Sequence, residues 1–203
     1  MKITKIVITG GPCAGKSTAM SWVRDAFTRM GYIVLFVAET ATEMISGGVT
    51  PWICGSSEEY QNCQLRLQLA KEQIFERAAR TMKGDRVLIV CDRGALDNKA
   101  YMTEEEFARA TDDVGCSEAE LRDGYDAVFH LVTAAKGAGE FYMTENNSAR
   151  TETADEAAAI DDRLLAAWAG HPYYRVIDSD ADFEHKMERL IAEISAFLSK
   201  AED

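Results

Sequence analysis

Residues 10–17 read Gly-Gly-Pro-Cys-Ala-Gly-Lys-Ser, which matches the pattern G-x-x-x-x-G-K-[ST]. The residue types suit phosphate. Glycines let the backbone come close to an anion, and successive N–H groups converge on it. Lys16 can reach the β- and γ-phosphates of a nucleotide, and the Ser17 hydroxyl can ligate Mg²⁺. A helix opening here adds the positive end of its dipole. At average composition the bare pattern arises by chance in roughly one chain in a hundred. Here it follows an apolar run (KIVIT, Lys5 to Thr9) and opens a helical pattern, which is the context it needs. The expected nucleotide-binding set is Gly10, Gly11, Pro12, Cys13, Ala14, Gly15, Lys16, Ser17 and Thr18. Cys13 has no neighbours that would make it a nucleophile and reads as a small loop side chain.

Carboxylates stand where strands should end. Asp92 closes the apolar run VLIVCD, the place for a second Mg²⁺-anchoring group beside Ser17. Arg93 follows at once and could clamp an anionic or hydroxylated substrate; a structural ion pair is the alternative. Glu39 ends the run IVLFVAE and could accept the proton of a substrate hydroxyl. Its alternative is a first-turn carboxylate at a helix N-terminus. Asp97 reads as a helix-surface residue. Residues 134–152 form a long glycine-rich connection bracketed by Lys136 and Arg150, a pattern that suits a lid. Arg150 is the expected lid cation. His130, inside an apolar strand, reads as a core histidine, and His171, before Pro172, as a turn residue.

Positioning these groups requires alternating strands and helices. Strand signals fall at Lys5 to Thr9, Ile33 to Glu39, Arg86 to Asp92, Asp126 to Thr133 and Tyr173 to Ser179. Met20, Val23, Phe27 and Met30 mark the first helix, which Gly31 stops. A long helix from Glu58 to Met82 carries an apolar stripe (Tyr60, Cys63, Leu67, Ala70, Ile74, Ala78) and a polar one (Gln61, Gln64, Gln68, Glu72). Short acidic helices follow between residues 103 and 123. Thr153 and Glu156 fit a capping box that opens a further helix, and Phe183 to Phe197 carry the last. Near-continuous apolar strands separated by helices predict an α/β fold of three layers, a parallel sheet of five strands with helices on both faces. Ligands of such sheets sit beyond the carboxyl ends of the strands.

The chain has 203 residues and a formal net charge of −12, which suits one domain spanning 1–203 and argues against nucleic acid as the main partner. The N-terminus lacks a signal-peptide pattern, and the longest apolar run, Ile33 to Ala38, is too short to span a bilayer. Five cysteines without a CxxC pair fit reduced thiols, so a cytoplasmic protein is expected.

Four stretches together resemble one family: ITGGPCAGKST, VAETAT, CDRGALDNKAYM and NNSARTETADEAAAIDDRLLAAWAGHPYYRVID. The chain is similar over nearly its whole length to the P-loop ATPase/kinase domain shared by the ribosylnicotinamide kinase part of NadR and the TRPL translocation defect proteins. The resemblance implies a five-stranded P-loop NTPase fold related to nucleoside and nucleoside-monophosphate kinases. It implies ATP, or GTP, with Mg²⁺. It also draws attention to Glu39, Gln61, Gln68, Glu72, Arg150, Glu152, Asp161, Trp168 and His171. Gln61, Gln68 and Glu72 could line an acceptor cleft. The adenylyltransferase part of NadR is missing, so a bifunctional role is not implied.

Three functions compete. A small-molecule kinase would use Lys16, Glu39, Asp92, Arg93 and Arg150 to move a phosphoryl group to a hydroxyl of a small acceptor. The alternatives are a nucleotide-dependent switch acting through protein or lipid partners, and a simple hydrolase. A G-domain needs N-K-x-D, whereas Asn98-Lys99-Ala100-Tyr101 lacks the Asp. The acidic balance offers no basic face for lipid. Kinase is the expectation.

Overall fold

The computed structural model describes residues 1–136, 153–179 and 182–200. β1 (Lys2–Thr9) leads through the glycine loop into α1 (Lys16–Arg29). β2 (Ile33–Val37) is followed by α2 (Thr40–Ser46) and the long α3 (Ser57–Ala79). After β3 (Arg86–Asp92) comes a 3-10 helix, Ala95–Tyr101, then α4 (Glu104–Val114) and α5 (Glu118–Asp123). β4 (Ala127–Leu131) and a 3-10 turn at Ala134–Lys136 precede α6 (Ala154–Ala167), β5 (Tyr174–Ile177) and α7 (Phe183–Lys200).

The five strands form one all-parallel sheet in the order β2-β3-β1-β4-β5. Side chains alternate across it. Ile6 and Ile8 of β1, with Leu88, Val90 and Phe129, pack under Val23 and Phe27 of α1 and Met187, Leu190 and Ile194 of α7. Val7, Ile89, Cys91 and Val128 face the other way, against Leu65 of α3, Phe107 of α4, Leu121 of α5 and Trp168. Both faces are therefore covered, as the unbroken apolar strands require. The chain reverses direction through the sheet at β1, which places a crevice at the carboxyl edge beside that strand. The capping box at Thr153 is present: Thr153 N donates to Glu156 Oε2 (2.7 Å) and Glu156 N to Thr153 Oγ1 (3.3 Å).

α3 turns its faces against intuition. Gln61, Gln64, Gln68 and Glu72 are buried, whereas Cys63, Ala70, Ile74 and Ala78 are exposed, Ile74 at 65%. The helix lays its polar stripe over the carboxyl edge of the sheet because polar groups wait there. Among the described residues no helix is long and apolar enough to cross a membrane.

Candidate functional site

The glycine loop is held from every side. Lys16 Nζ folds back to donate to Gly10 O (2.9 Å) and Gly11 O (3.2 Å). Gly11 N donates to Asp161 Oδ1 of α6 (2.8 Å). The Thr133 hydroxyl donates to Pro12 O. Lys186 of α7 donates from Nζ to Ala14 O (3.0 Å) and Val132 O (2.6 Å). Cys13 (φ 57°) and Gly15 (φ 91°) take left-handed backbone, which curls the loop tightly. The first helical bond is Ala19 N to Gly15 O (3.0 Å). The N–H groups of Lys16, Ser17 and Thr18 thus have no partner earlier in the helix. A helix start of this kind suits an anion.

β3 delivers two more groups to the same edge. Asp92 pairs in register with Ile8, and Arg93 N donates to Ile8 O (3.1 Å), so the Asp-Arg pair stands directly beside the loop. Arg93 takes φ 71°, swinging its side chain off the strand path. Its Nε donates to Glu39 Oε1 across 2.6 Å. Glu39 occupies the N-cap position of α2 yet makes no side-chain cap; its second oxygen accepts from the Thr42 hydroxyl. Lys16, Glu39, Asp92 and Arg93 are thereby brought together, close enough to act on one another's ionisation.

The charges within this group shape one another. Burial would raise the Glu39 carboxyl, but the Arg93 and Lys16 charges, with hydrogen bonds from Thr42 and Arg93, overcome it and hold the pKa at about 2. Burial and the nearby Arg93 charge lower Lys16 to about 8. Asp92 is pushed up, first by burial, because Lys16 only partly offsets it. Arg93 is raised above its ordinary value; its burial is outweighed by Tyr101, Glu39 and Asp97.

Asp92 Oδ1 is buried without a hydrogen-bond partner, and Ser17, in the first turn of α1, is exposed. An unpaired carboxylate oxygen and a hydroxyl are hard oxygen donors of the kind Mg²⁺ takes when nucleotide phosphates and water complete its shell. The residues fit that ion.

The buried stripe of α3 continues the site. Thr40 Oγ1 donates to Gln68 Oε1, Gln68 Nε2 to Glu72 Oε1 (2.7 Å) and to Arg93 O (3.3 Å), and Tyr125 OH to Glu72 Oε1 (2.8 Å). Lys5 Nζ donates to Glu72 Oε2 (3.1 Å) and lies 4.7 Å from the centre of the Tyr125 ring. Gln68 and Glu72 thus brace the strand end that carries Arg93. Nearer the start of α3, Tyr60 OH and Gln61 Oε1 are buried without partners, as is Arg93 Nη1.

Asp97 requires a correction. It is 1% exposed, not a surface residue. Its Oδ1 accepts from the Thr9 hydroxyl and from Trp168 Nε1 (3.3 Å), and its Oδ2 from Gly94 N (2.6 Å). The 3-10 geometry of Ala95–Tyr101 turns it inward, where an α-helical reading sends it out. Asp161, fully buried, receives His130 Nε2 (2.9 Å) as well as Gly11 N, with Lys136 Nζ 2.9 Å from its Oδ2. Burial raises its carboxyl, but His130, Lys136 and Gly11 hold it at about 2. His130 is thus a partnered core histidine, and His171 a turn residue whose Nε2 lies 2.9 Å from Tyr125 O while its Nδ1 accepts from Tyr173 N (3.1 Å). Sequence reasoning missed the roles of Asp97, Asp161, Trp168 and Lys186 as supports of the loop; the pairing of Asp161 with Gly11 spans 150 positions and leaves no local signal. Lys136 sits at the start of the expected lid, whereas Arg150 lies outside the described residues.

A parallel five-stranded sheet, a glycine loop closing on a helix N-terminus and a lysine within it define a P-loop nucleotide-binding fold. A family model described as AAA domain matches residues 5–186, so the chain belongs to that family. None of the curated proteins matches the chain. A solved structure, deoxyadenosine kinase from M. mycoides with bound dATP, is similar at a TM-score of 0.57 and 16% identity. The match covers 95% of this chain and 99% of that one. At this identity the likeness is one of fold, and the fold is nucleoside-kinase-like.

Proposed function

We propose that this protein is a Mg²⁺-dependent kinase that binds ATP, with GTP as a possible substitute, and transfers its γ-phosphoryl group to a hydroxyl of a small nucleoside-like metabolite. The observation that carries the reading is the Glu39–Arg93 pair beside Lys16, with Arg93 Nη1 left buried and unpartnered. A hydrolase needs only a place for water. Here a carboxylate and a guanidinium face an edge where Tyr60 OH and Gln61 Oε1 also lack partners. Buried polar groups are ordinarily satisfied, so the unmet ones argue for a polar second molecule. The sequence resemblance to the NadR and TRPL domains supports the same reading.

In this account the loop N–H groups and Lys16 hold the β- and γ-phosphates, and Ser17 and Asp92 hold the metal. When bound, Mg²⁺ neutralises charge on the transferring group. Glu39 accepts a hydrogen bond from the acceptor hydroxyl and fixes its approach. Its low pKa makes it a weak base, which a loose transition state tolerates, because little proton transfer is needed before the phosphoryl group leaves the donor. Arg93 holds Glu39 in place and offers Nη1 to the acceptor or the transferring group. The chain acts as one domain, 1–203, with residues 134–152 as a lid whose Arg150 adds a cation. The cell compartment proposed is the cytoplasm.

The reading is tested by acceptor-stimulated turnover. ADP release from Mg·ATP should rise when a nucleoside mixture is added. A rate indifferent to every acceptor would favour the hydrolase or switch.

A further inference from the structure

The Gly10–Gly11 peptide joins two buried charges. Its carbonyl, Gly10 O, accepts from Lys16 Nζ at 2.9 Å, and its N–H, on Gly11, donates to Asp161 Oδ1 at 2.8 Å. A trans peptide is planar, with its C=O and N–H pointing in opposite directions. The carboxylate on one side therefore fixes where the carbonyl points on the other. The next peptide has its own ties, since Gly11 O accepts from Lys16 Nζ (3.2 Å) and from Ala14 N (3.3 Å), but the Gly10–Gly11 peptide is free to turn without Asp161. Gly10 stands at φ 142°, and two successive glycines leave the peptide free to rotate. Gly11 also has no room for a side chain: a Cβ would come within 2.9 Å of Asp161 Cβ. The contact is as close as it can be because the residue is glycine.

Asp161 is itself held. His130 Nε2 shares its Oδ1 (2.9 Å), Lys136 faces its Oδ2 (2.9 Å), and it is fully buried on α6. Trp168, at the end of the same helix, donates to Asp97, which also takes the Thr9 hydroxyl one residue before Gly10. Both flanks of the loop's first turn are thus tied to α6.

We propose that Asp161 is a positioning residue of the phosphate site: it orients the Gly10–Gly11 peptide and, through the carbonyl of that peptide, the Lys16 ammonium. The inference rests on the nucleotide-binding reading above, and one of its readouts does not. Charge is secondary in this role; what matters is an acceptor oxygen at the right place. Asp161→Asn keeps that oxygen, and Asp161→Ala removes it.

The test compares both variants with the full wild-type chain by NMR of lysine side chains in the free protein and by Mg·ATP titration. Asp161→Ala should shift the Lys16 signals, although its link to Lys16 runs through a peptide group. It should weaken Mg·ATP about tenfold, as loss of one hydrogen bond ordinarily does. Asp161→Asn should stay within about threefold of wild type. A folded Asp161→Ala protein with unmoved Lys16 signals and wild-type affinity overturns the inference. Should Asp161→Ala not melt cooperatively, Asp161→Leu, similar in size and without an acceptor, takes its place: shifted Lys16 signals and weakened Mg·ATP support the role, and unmoved signals with wild-type affinity overturn it. If the wild type binds no nucleotide, the nucleotide reading fails and the Lys16 signals alone decide the brace.

Discussion

Arg93 Nε and Glu39 Oε1 lie 2.6 Å apart, joining the residue after β3 to the second residue after β2. The pair spans 54 positions in the chain, yet the sheet places β2 and β3 side by side, with Val37 opposite Cys91. Its consequence is a carboxylate that stays ionised, fixed in direction, beside the lysine of a phosphate loop. Glu39→Gln should therefore leave Mg·ATP affinity near wild type and, by loosening the acceptor's approach, reduce phosphoryl transfer by about 10². Transfer at an undiminished rate would remove Glu39 from the acceptor site.

Asp92 sets function against stability. Its buried, unpartnered oxygen and raised pKa mean that the ionised form costs the free protein. Asp92→Asn should raise the melting temperature of the ligand-free protein at neutral pH and remove the Mg²⁺-dependent gain in ATP affinity. An unchanged Mg²⁺ dependence would place the metal elsewhere.

Lys16 gives a calorimetric signature. At about pH 8.5 a lysine of pKa about 8 is largely neutral in the free protein, and an arriving phosphate raises that pKa. ATP binding should take up protons, seen as a dependence of the binding heat on the buffer's ionisation enthalpy. Proton release would contradict the assignment. Lys16→Ala should abolish detectable binding.

Acid stability follows from Glu39 and Asp161. Both have folded pKa values of about 2, below the ordinary 4.5 and 3.8. The unfolded chain therefore binds protons first, so their contribution is full above those ordinary values and is lost as pH falls toward 2. Glu39→Gln should flatten the decline of melting temperature over that window. An unaltered slope would show that the pair does not persist in solution.

Glu72 tests which way α3 faces. It accepts from Gln68, Tyr125 and Lys5 while 2% exposed. Glu72→Ala strands the Tyr125 hydroxyl and takes one acceptor each from Gln68 and Lys5, which keep Arg93 O and Glu76, and should cost about 1–3 kcal/mol by chemical denaturation. Ile74→Ala, on the exposed side, should stay within about 0.5 kcal/mol. The reverse ranking would invert the helix.

How far the sequence could be read follows from where each signal lies. The glycine loop was legible because Gly10 to Ser17 carries its chemistry within one turn of chain. The strand end at Asp92 was legible because an apolar run stops there, whereas β2 stops at Val37 and Glu39, expected as its last residue, takes the N-cap position of α2. The strand order was not, since pairing of β1 with β3 and β4 depends on how distant helices cross the sheet. The buried face of α3 misleads because its neighbours are Arg93, Tyr125 and Lys5 rather than a purely apolar core. Asp97 hid in a 3-10 helix, whose repeat of three rotates side chains away from α-helical expectation. Asp161, which the resemblance singled out without a role, and Lys186, which nothing singled out, reach the loop from far along the chain, and only folding shows those contacts.

The central claim is phosphoryl transfer to a small hydroxyl acceptor, and the mass of the acceptor tests it most directly. Incubation with Mg·ATP and a panel of nucleosides and related metabolites should yield one acceptor heavier by a single phosphoryl group, with ADP released in equal amount and neither product formed by Lys16→Ala. ADP release from the wild type with every acceptor mass unchanged would contradict it.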